Sequence, residues 1–246
     1  NSRDITSNLS LNMTTDLTQD FGMTLRLGND VFDRSTNLIR ARGQSFVVPR
    51  FNHLSNATNV SNAQQLTEKR LIGVYGDLNI DWRDILYLNV TGRNDWTSTL
   101  PENNRSFFYP SVSLGAVVSD MVDTPDWLTY AKLRVSYAEV GKDAPPYSTV
   151  GVFVAPSIYP IQGTTGFTKG ATIASPDLKP ERTTSQEVGF DLRFLNNRLG
   201  LDLTLYRANS KDMIIPVPVS NATGSSRFIT NAGEIENRGI ELTLRA

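Results

Sequence analysis

The sequence predicts an all-β chain: an antiparallel transmembrane β-barrel, present here as about nine strands. Three observations predict it. A period-two alternation of apolar and polar residues repeats along the chain, and such a period sets one face of a strand in an apolar medium and the other in a polar one. The alternating runs reach roughly 9 to 12 residues, the length at which a strand tilted by about 45° crosses a bilayer's hydrocarbon, whereas a globular strand is nearer five or six. Short connections alternate with long ones, as in outer-membrane barrels with short periplasmic turns and long extracellular loops.

In the first strand, Ile5 to Leu17, Leu9, Leu11 and Met13 alternate with Asn8, Ser10 and Asn12; Phe21, Met23, Leu25 and Leu27 return after Thr18-Gln19-Asp20. Ile72, Val74, Leu78, Ile80 and Trp82 oppose Tyr75, Asp77, Asn79 and Asp81, and after Arg83-Asp84 come Leu86, Leu88 and Val90. Phe108, Val112, Leu114, Ala116 and Val118 form the fifth strand, and Ala131, Leu133, Val135 and Tyr137 the sixth. The clearest hairpin follows: Val188, Phe190, Leu192 and Phe194, a turn at Asn196-Asn197, then Leu199, Leu201, Leu203 and Leu205. Ile240, Leu242 and Leu244 make the ninth strand. Parity predicts that Leu17 faces Phe21 across three residues, and that the Arg83-Asp84 connection holds an odd number of residues or a bulge. It also sets Asp191 opposite Asp202, which calls for a hydrated face with basic neighbours, Arg193 the nearest.

Residues 28 to 70, 94 to 106, 141 to 181 and 209 to 236 read as long loops, with Ser148 to Ala155 a weak strand extension. Trp82, Tyr87, Phe107, Tyr109, Trp127, Tyr130 and Phe194 near strand ends suit interfacial girdles.

Composition excludes several classes. A net charge of −1 without a basic run gives no case for nucleic acid, and zero cysteines exclude disulfides and thiolate metal sites. A Ser-His-Asp triad has only His53 to draw on, and no GxSxG elbow exists. Glu139 and Asp143 at a strand-loop junction read as solvated acids, and Asp120, Asp123 and Asp126 lack EF-hand spacing. No cofactor site is read and no enzyme is expected. An odd strand number, with strand pattern at both ends, leads to the expectation of a piece of a larger barrel, because open edges within lipid leave backbone groups unpaired.

Three motifs carry a family resemblance. Gly92 to Gly115 (GRNDWTSTLPENNRSFFYPSVSLG), Ser175 to Ile214 (SPDLKPERTTSQEVGFDLRFLNNRLGLDLTLYRANSKDMI) and Asn231 to Leu244 (NAGEIENRGIELTL) resemble the barrel of SusC/RagA-type TonB-dependent receptors of Bacteroidetes. The resemblance covers most of residues 71 to 246; residues 1 to 70 fit by strand pattern alone. It implies that residues 1 to 246 are part of the β-barrel domain of a receptor of about 22 strands, whose N-terminal plug is not recognisable here. It also implies an outer-membrane location in contact with lipid, energy from the TonB complex through the missing N-terminal part, a SusD-like lipoprotein as lid, and oligosaccharide or peptide cargo.

The motifs themselves read as scaffold. Asn94 and Asp95 are expected to accept backbone N–H bonds where a strand leaves the membrane, and Trp96 to anchor at the interface or pack under the loop, with ligand contact as the alternative. Pro176 and Pro180 stiffen a descent into a strand, and Asn231 to Gly239 reads as turn and bulge chemistry. Trp96, Tyr147, Tyr159 and Phe167 are the candidate substrate-binding residues. The alternative of another class is a soluble or surface glycan-binding β-sandwich using these aromatics as stacking platforms; a need for detergent separates the two.

Overall fold

The structure, a computed structural model, describes residues 1–154 and 166–246. In chain order its strands are β1 (Ser2–Asp16), β2 (Phe21–Phe46), β3 (Ala57–Trp82), β4 (Leu86–Thr97), β5 (Ser106–Val117), β6 (Leu128–Lys142), β7 (Phe153–Val154), β8 (Thr168–Lys169), β9 (Thr172–Ile173), β10 (Glu181–Phe194), β11 (Leu199–Lys211), β12 (Ile214–Pro218), β13 (Arg227–Asn231) and β14 (Ile235–Arg245). Nine form one antiparallel sheet in the order β1-β2-β3-β4-β5-β6-β10-β11-β14, open at both ends. Three short strands, β12, β13 and β9, make a second sheet, and β7 pairs with β8.

The predicted registers hold. Phe194 lies opposite Leu199, Leu192 opposite Leu201, Phe190 opposite Leu203 and Val188 opposite Leu205. Ile80 pairs with Leu88 and Leu78 with Val90 across a three-residue connection, in which Arg83 and Asp84 take left-handed φ and the Ile85 N–H closes the turn on the Trp82 carbonyl. The Leu17 N–H donates to the Phe21 carbonyl at 2.9 Å, again across three residues. At the hairpin between β10 and β11 the four residues 195–198 make the connection: Leu195, Asn196 and Asn197 have left-handed φ of 53°, 58° and 63°, and the Arg198 N–H closes it on the Leu195 carbonyl. Asparagine tolerates that conformation, so Asn197→Val is expected to cost about 1 to 2 kcal/mol and Asn197→Gly to be neutral or stabilising, read from the denaturant midpoint of the full-length barrel.

At the same end, Arg83 donates to both oxygens of Asp20 at 2.9 and 3.0 Å and lies over the Trp82 ring. This guanidinium holds the Asp20 carboxyl below the usual carboxylate range. A depressed folded value means that the pair's contribution is present above the ordinary carboxylate pKa and is lost as pH falls through the lowered one. A side-chain NMR titration should give Asp20 a higher midpoint in Arg83→Gln than in the parent.

One face of the sheet is apolar and uncovered. On β2 and β3 it runs upward in paired rungs, Phe21 with Trp82, Met23 with Ile80, Leu25 with Leu78, and so to Val31 with Ile72. The next rung on that face is an ion pair, Asp33 with Arg70, whose Nε lies 2.7 Å from the carboxylate. On β11 and β14 the leucine rungs end at Arg207, which stands opposite Arg238 and pairs diagonally with Glu236 at 2.6 Å. About eleven residues of apolar face bounded by charge match the length of a tilted membrane strand. A β-sandwich would cover this face with a second sheet. Here Leu9 is 73% exposed and Ile240 72%.

The reading of residues 28 to 70 as a loop is corrected: β2 and β3 continue as one hairpin, pairing from Phe21 with Trp82 up to Phe46 with Ala57. Residues 209 to 236 likewise hold the rest of β11, the β12-β13 hairpin and the start of β14. Of the expected extension over Ser148 to Ala155, only Phe153 and Val154 pair, with Lys169 and Thr168; Ala155 lies outside the described residues. The buried apolar cluster sits beyond the membrane belt at the long-loop end: Leu100, Phe107, Ala144 and Leu178, with Tyr109, Ile214 and Ile229 against it.

Candidate functional site

The face opposite the leucines carries a chain of polar contacts across five strands. Asn8 on β1 donates to Asp30 on β2, and Arg93 on β4 donates to Asp30 at 2.5 Å and to Asp95 at 2.8 Å. Tyr109 on β5 donates to the other oxygen of Asp95 at 2.5 Å. Gly73 makes room for this: a Cβ there would lie 2.1 Å from the Arg93 guanidinium. Further down, Asn89 donates to Asp77 and Asn79, and Thr91 meets Ser111. Asp191 does sit opposite Asp202, with Lys132 as its other neighbour and Arg193 at 3.7 Å. Arg134, which the parity argument did not name, donates to both oxygens of Asp202 at 3.1 Å.

The expected role of Asn94 and Asp95 is corrected in detail. Buried Asp95 accepts from the Arg93 and Tyr109 side chains, not from the loop backbone, and Asn94 donates to Ser106 Oγ. The next two polar positions close the mouth: Thr97 and Thr99 donate to Asp143 at 2.7 and 3.0 Å, and Lys69 adds a contact at 2.7 Å. Asp143, expected to be solvated, is thus the acceptor that ties the start of the 143–180 segment to β3 and β4. Glu139 is held by Tyr137 and Arg182.

The long connections form one body. Asn231 accepts from the Lys179 N–H at 2.8 Å and donates to the carbonyls of Lys179 and Asp212 at 2.9 and 2.7 Å. Glu181 accepts the Ile214 N–H, the Ser226 N–H donates to the Ala171 carbonyl, and Asn104 donates to the Leu178 carbonyl. The motifs Pro176 to Glu181 and Asn231 to Glu234 therefore meet around Leu178, which is 0% exposed. Sequence reasoning treated them as separate turn chemistry, since a side chain bonding backbone fifty residues away leaves no local pattern.

The four predicted aromatics do not converge. Trp96 lies opposite Ile72, on the apolar face and at its upper edge, the position of an interfacial anchor. Tyr147 is half exposed with φ 63°, and its hydroxyl accepts the Glu68 N–H at 3.0 Å. Phe167, beside β8, is exposed. Tyr159 lies outside the described residues.

Comparison with known proteins decides the family. The model of the family described as TonB dependent receptor-like, beta-barrel, matches residues 1–246. The chain belongs to that TonB-dependent receptor β-barrel family. Among curated relatives, TonB-dependent receptor P26 of Formosa agariphila is 29% identical over 201 residues, covering 79% of this chain and 20% of that protein. TonB-dependent receptor SusC of Bacteroides thetaiotaomicron is 26% identical over 188 residues, covering 73% of this chain and 19% of that protein. The RagAB peptide transporter structure superposes with a TM-score of 0.85 at 21% identity, over 99% of this chain and 28% of that one. The chain thus spans about a fifth of the curated relatives it matches. The SusC/RagA-type resemblance read from the three motifs is borne out, and with it the antiparallel barrel fold; the barrel is not closed within these residues. Family members are outer-membrane β-barrel proteins, receptors and transporters by name.

Proposed function

We propose that this chain forms part of the wall and cell-surface mouth of an outer-membrane active transporter, which imports oligosaccharides with energy delivered by TonB and a SusD-like lipoprotein as lid. The plug and the TonB contact then belong to other parts of the same receptor. The observation that carries the reading is the two-sided sheet: a leucine face bounded by ion pairs, an opposite face of hydrogen-bonded polar side chains, and long connections gathered at one end. A polar wall suits a hydrated passage, and a cross-braced body of loops at its mouth suits recognition. Of the four aromatics first chosen as candidates, Tyr147 and Phe167 are described at that mouth, and Trp96 is assigned to the membrane interface. Peptides are the second cargo class, because the similar RagAB structure is that of a peptide transporter.

The test is a deletion strain complemented with the full-length receptor, or with a receptor lacking 148–172, grown on panels of oligosaccharides and of peptides as sole carbon source. The expected result is that the intact gene restores growth on an oligosaccharide, that the loop deletion does not, and that loss of tonB or of the lid gene abolishes it. Restoration by the loop-deleted receptor would refute the recognition role, and growth that survives loss of tonB would refute active import.

A further inference from the structure

At the top of the apolar belt on β6, β10, β11 and β14, the lipid-facing side is hollowed. The last apolar row there is Val135, Val188 and Leu205, one residue on each of β6, β10 and β11. Two residues further up, the same face carries Tyr137, Gln186, Arg207 and Arg238 in one row. Between the two rows lies a cavity of about 710 Å³, apolar below and cationic above. A second, of about 240 Å³, continues it upward past Arg207 to Asn209 and Lys211. Together they form a slot that starts in the belt and ends beyond it. Its charge differs from the belt's boundary on β2 and β3, where Asp33 stands opposite Arg70 and neutralises it. Here two arginines stand directly opposite each other, an unfavourable pairing unless an anion lies between them. Glu236, one row above on β14, bonds Arg207 at 2.6 Å, and one carboxylate against two guanidiniums leaves the row positive. The β11–β14 register itself sets Arg207 against Arg238. In the upper cavity Asn209 donates its amide N–H to Glu234 at 2.6 Å, while its buried Oδ1 accepts no hydrogen bond among the described residues.

We infer that this slot binds a phosphorylated glycolipid of the outer leaflet, with a phosphate held between Arg207 and Arg238 and acyl chains lying over Val135, Val188 and Leu205. The inference rests on the reading that puts the long connections at the cell surface, because that reading sets the slot at the outer leaflet's headgroup level. A guanidinium presents a planar set of donors that matches two phosphate oxygens, and neighbouring strands are about 5 Å apart, so the two forks can share one phosphate. Basic side chains just above an apolar belt sit where anionic headgroups lie. The apolar half of the slot selects a lipid over a free anion, since only acyl chains gain by covering it. A sugar hydroxyl or amide N–H supplies the donor that Asn209 Oδ1 lacks. Cargo meets the other face of the sheet, so the slot is separate from the hydrated wall.

The test titrates the full-length receptor in detergent with lipopolysaccharide, its dephosphorylated form, phosphatidylglycerol and inorganic phosphate. EDTA is present throughout, so that no divalent cation bridges phosphate to Glu234 or Glu236. Lipopolysaccharide should bind saturably, with an affinity that falls with added salt and is about tenfold or more above that of the dephosphorylated form. The R207Q/R238Q variant should lose about tenfold or more, R207K/R238K should fall between, and R198Q, at the opposite end of the sheet, should bind as the parent does. Heat-modifiable migration checks that each variant is folded. Equal binding by parent and R207Q/R238Q, or equal binding of the dephosphorylated form, would overturn the inference. Phosphatidylglycerol or inorganic phosphate bound as tightly as lipopolysaccharide would overturn it too, by showing a phosphate site without glycolipid recognition. Failure to bind any lipid, in a receptor that still fractionates with the outer membrane, would remove the slot and leave the importer reading intact; a receptor found outside that membrane would remove both.

Discussion

Leu203→Arg is expected to cost about 2 to 4 kcal/mol of barrel stability, while Thr204→Arg next to it costs little. Leu203 lies between Phe190 and Leu242 on the apolar face, four residues below the Arg207–Glu236 pair that bounds it. An arginine there must either desolvate in hydrocarbon or bend toward the interface. Thr204 lies between Gly189 and Glu241 on the other, hydrated face, where Glu241 supplies an acid and the Arg134 guanidinium lies over Gly189. Denaturant titration of the full-length receptor folded into lipid vesicles reads the difference. Equal costs for the two substitutions would mean that the faces have been assigned wrongly.

Leu178→Ala is expected to loosen the loop body by about 2 to 5 kcal/mol, the range for a fully buried leucine, without altering the transmembrane sheet. Leu178 is the largest fully buried side chain among the described residues, and it packs with Leu100, Phe107 and Ala144. The residues after it bring Lys179 to Asn231 and Glu181 to Ile214. Removing its side chain leaves a cavity under three connections at once. Hydrogen exchange should accelerate at the amides of Lys179 and Ile214 and stay unchanged on β10 and β11. Acceleration in the strands as well would show that the loops and the wall unfold as one unit.

The transmembrane strands were legible because each crosses a boundary between lipid and water, which stamps a period of two on Val188 to Phe194 and on Leu199 to Leu205. Parity then placed turns to the residue, including the odd connection after Trp82. The same reasoning passed over the upper hairpin. There, water bathes both faces, and Asn37, Leu38, Ile39 and Arg40 carry no alternation to read. It recognised the NDW and NAGE motifs and missed their partners, since Asp95 meets Tyr109 and Asn231 meets Lys179 only once the strands are assembled. The aromatics chosen as binding residues rested on residue type alone. Register, which type does not reveal, places Trp96 with the lipid-facing leucines.

The side of the membrane on which the loop body lies is tested most directly by single cysteines at Thr168 and Asn221, and at Asn197 as the short-turn control. Each is placed in a full-length receptor otherwise free of cysteine and exposed on intact cells to a membrane-impermeant maleimide. Labelling of Thr168→Cys and Asn221→Cys, with Asn197→Cys labelled only after the outer membrane is permeabilised, is the predicted result. Labelling of Asn197→Cys on intact cells with the other two protected would invert the topology and contradict a cell-surface mouth.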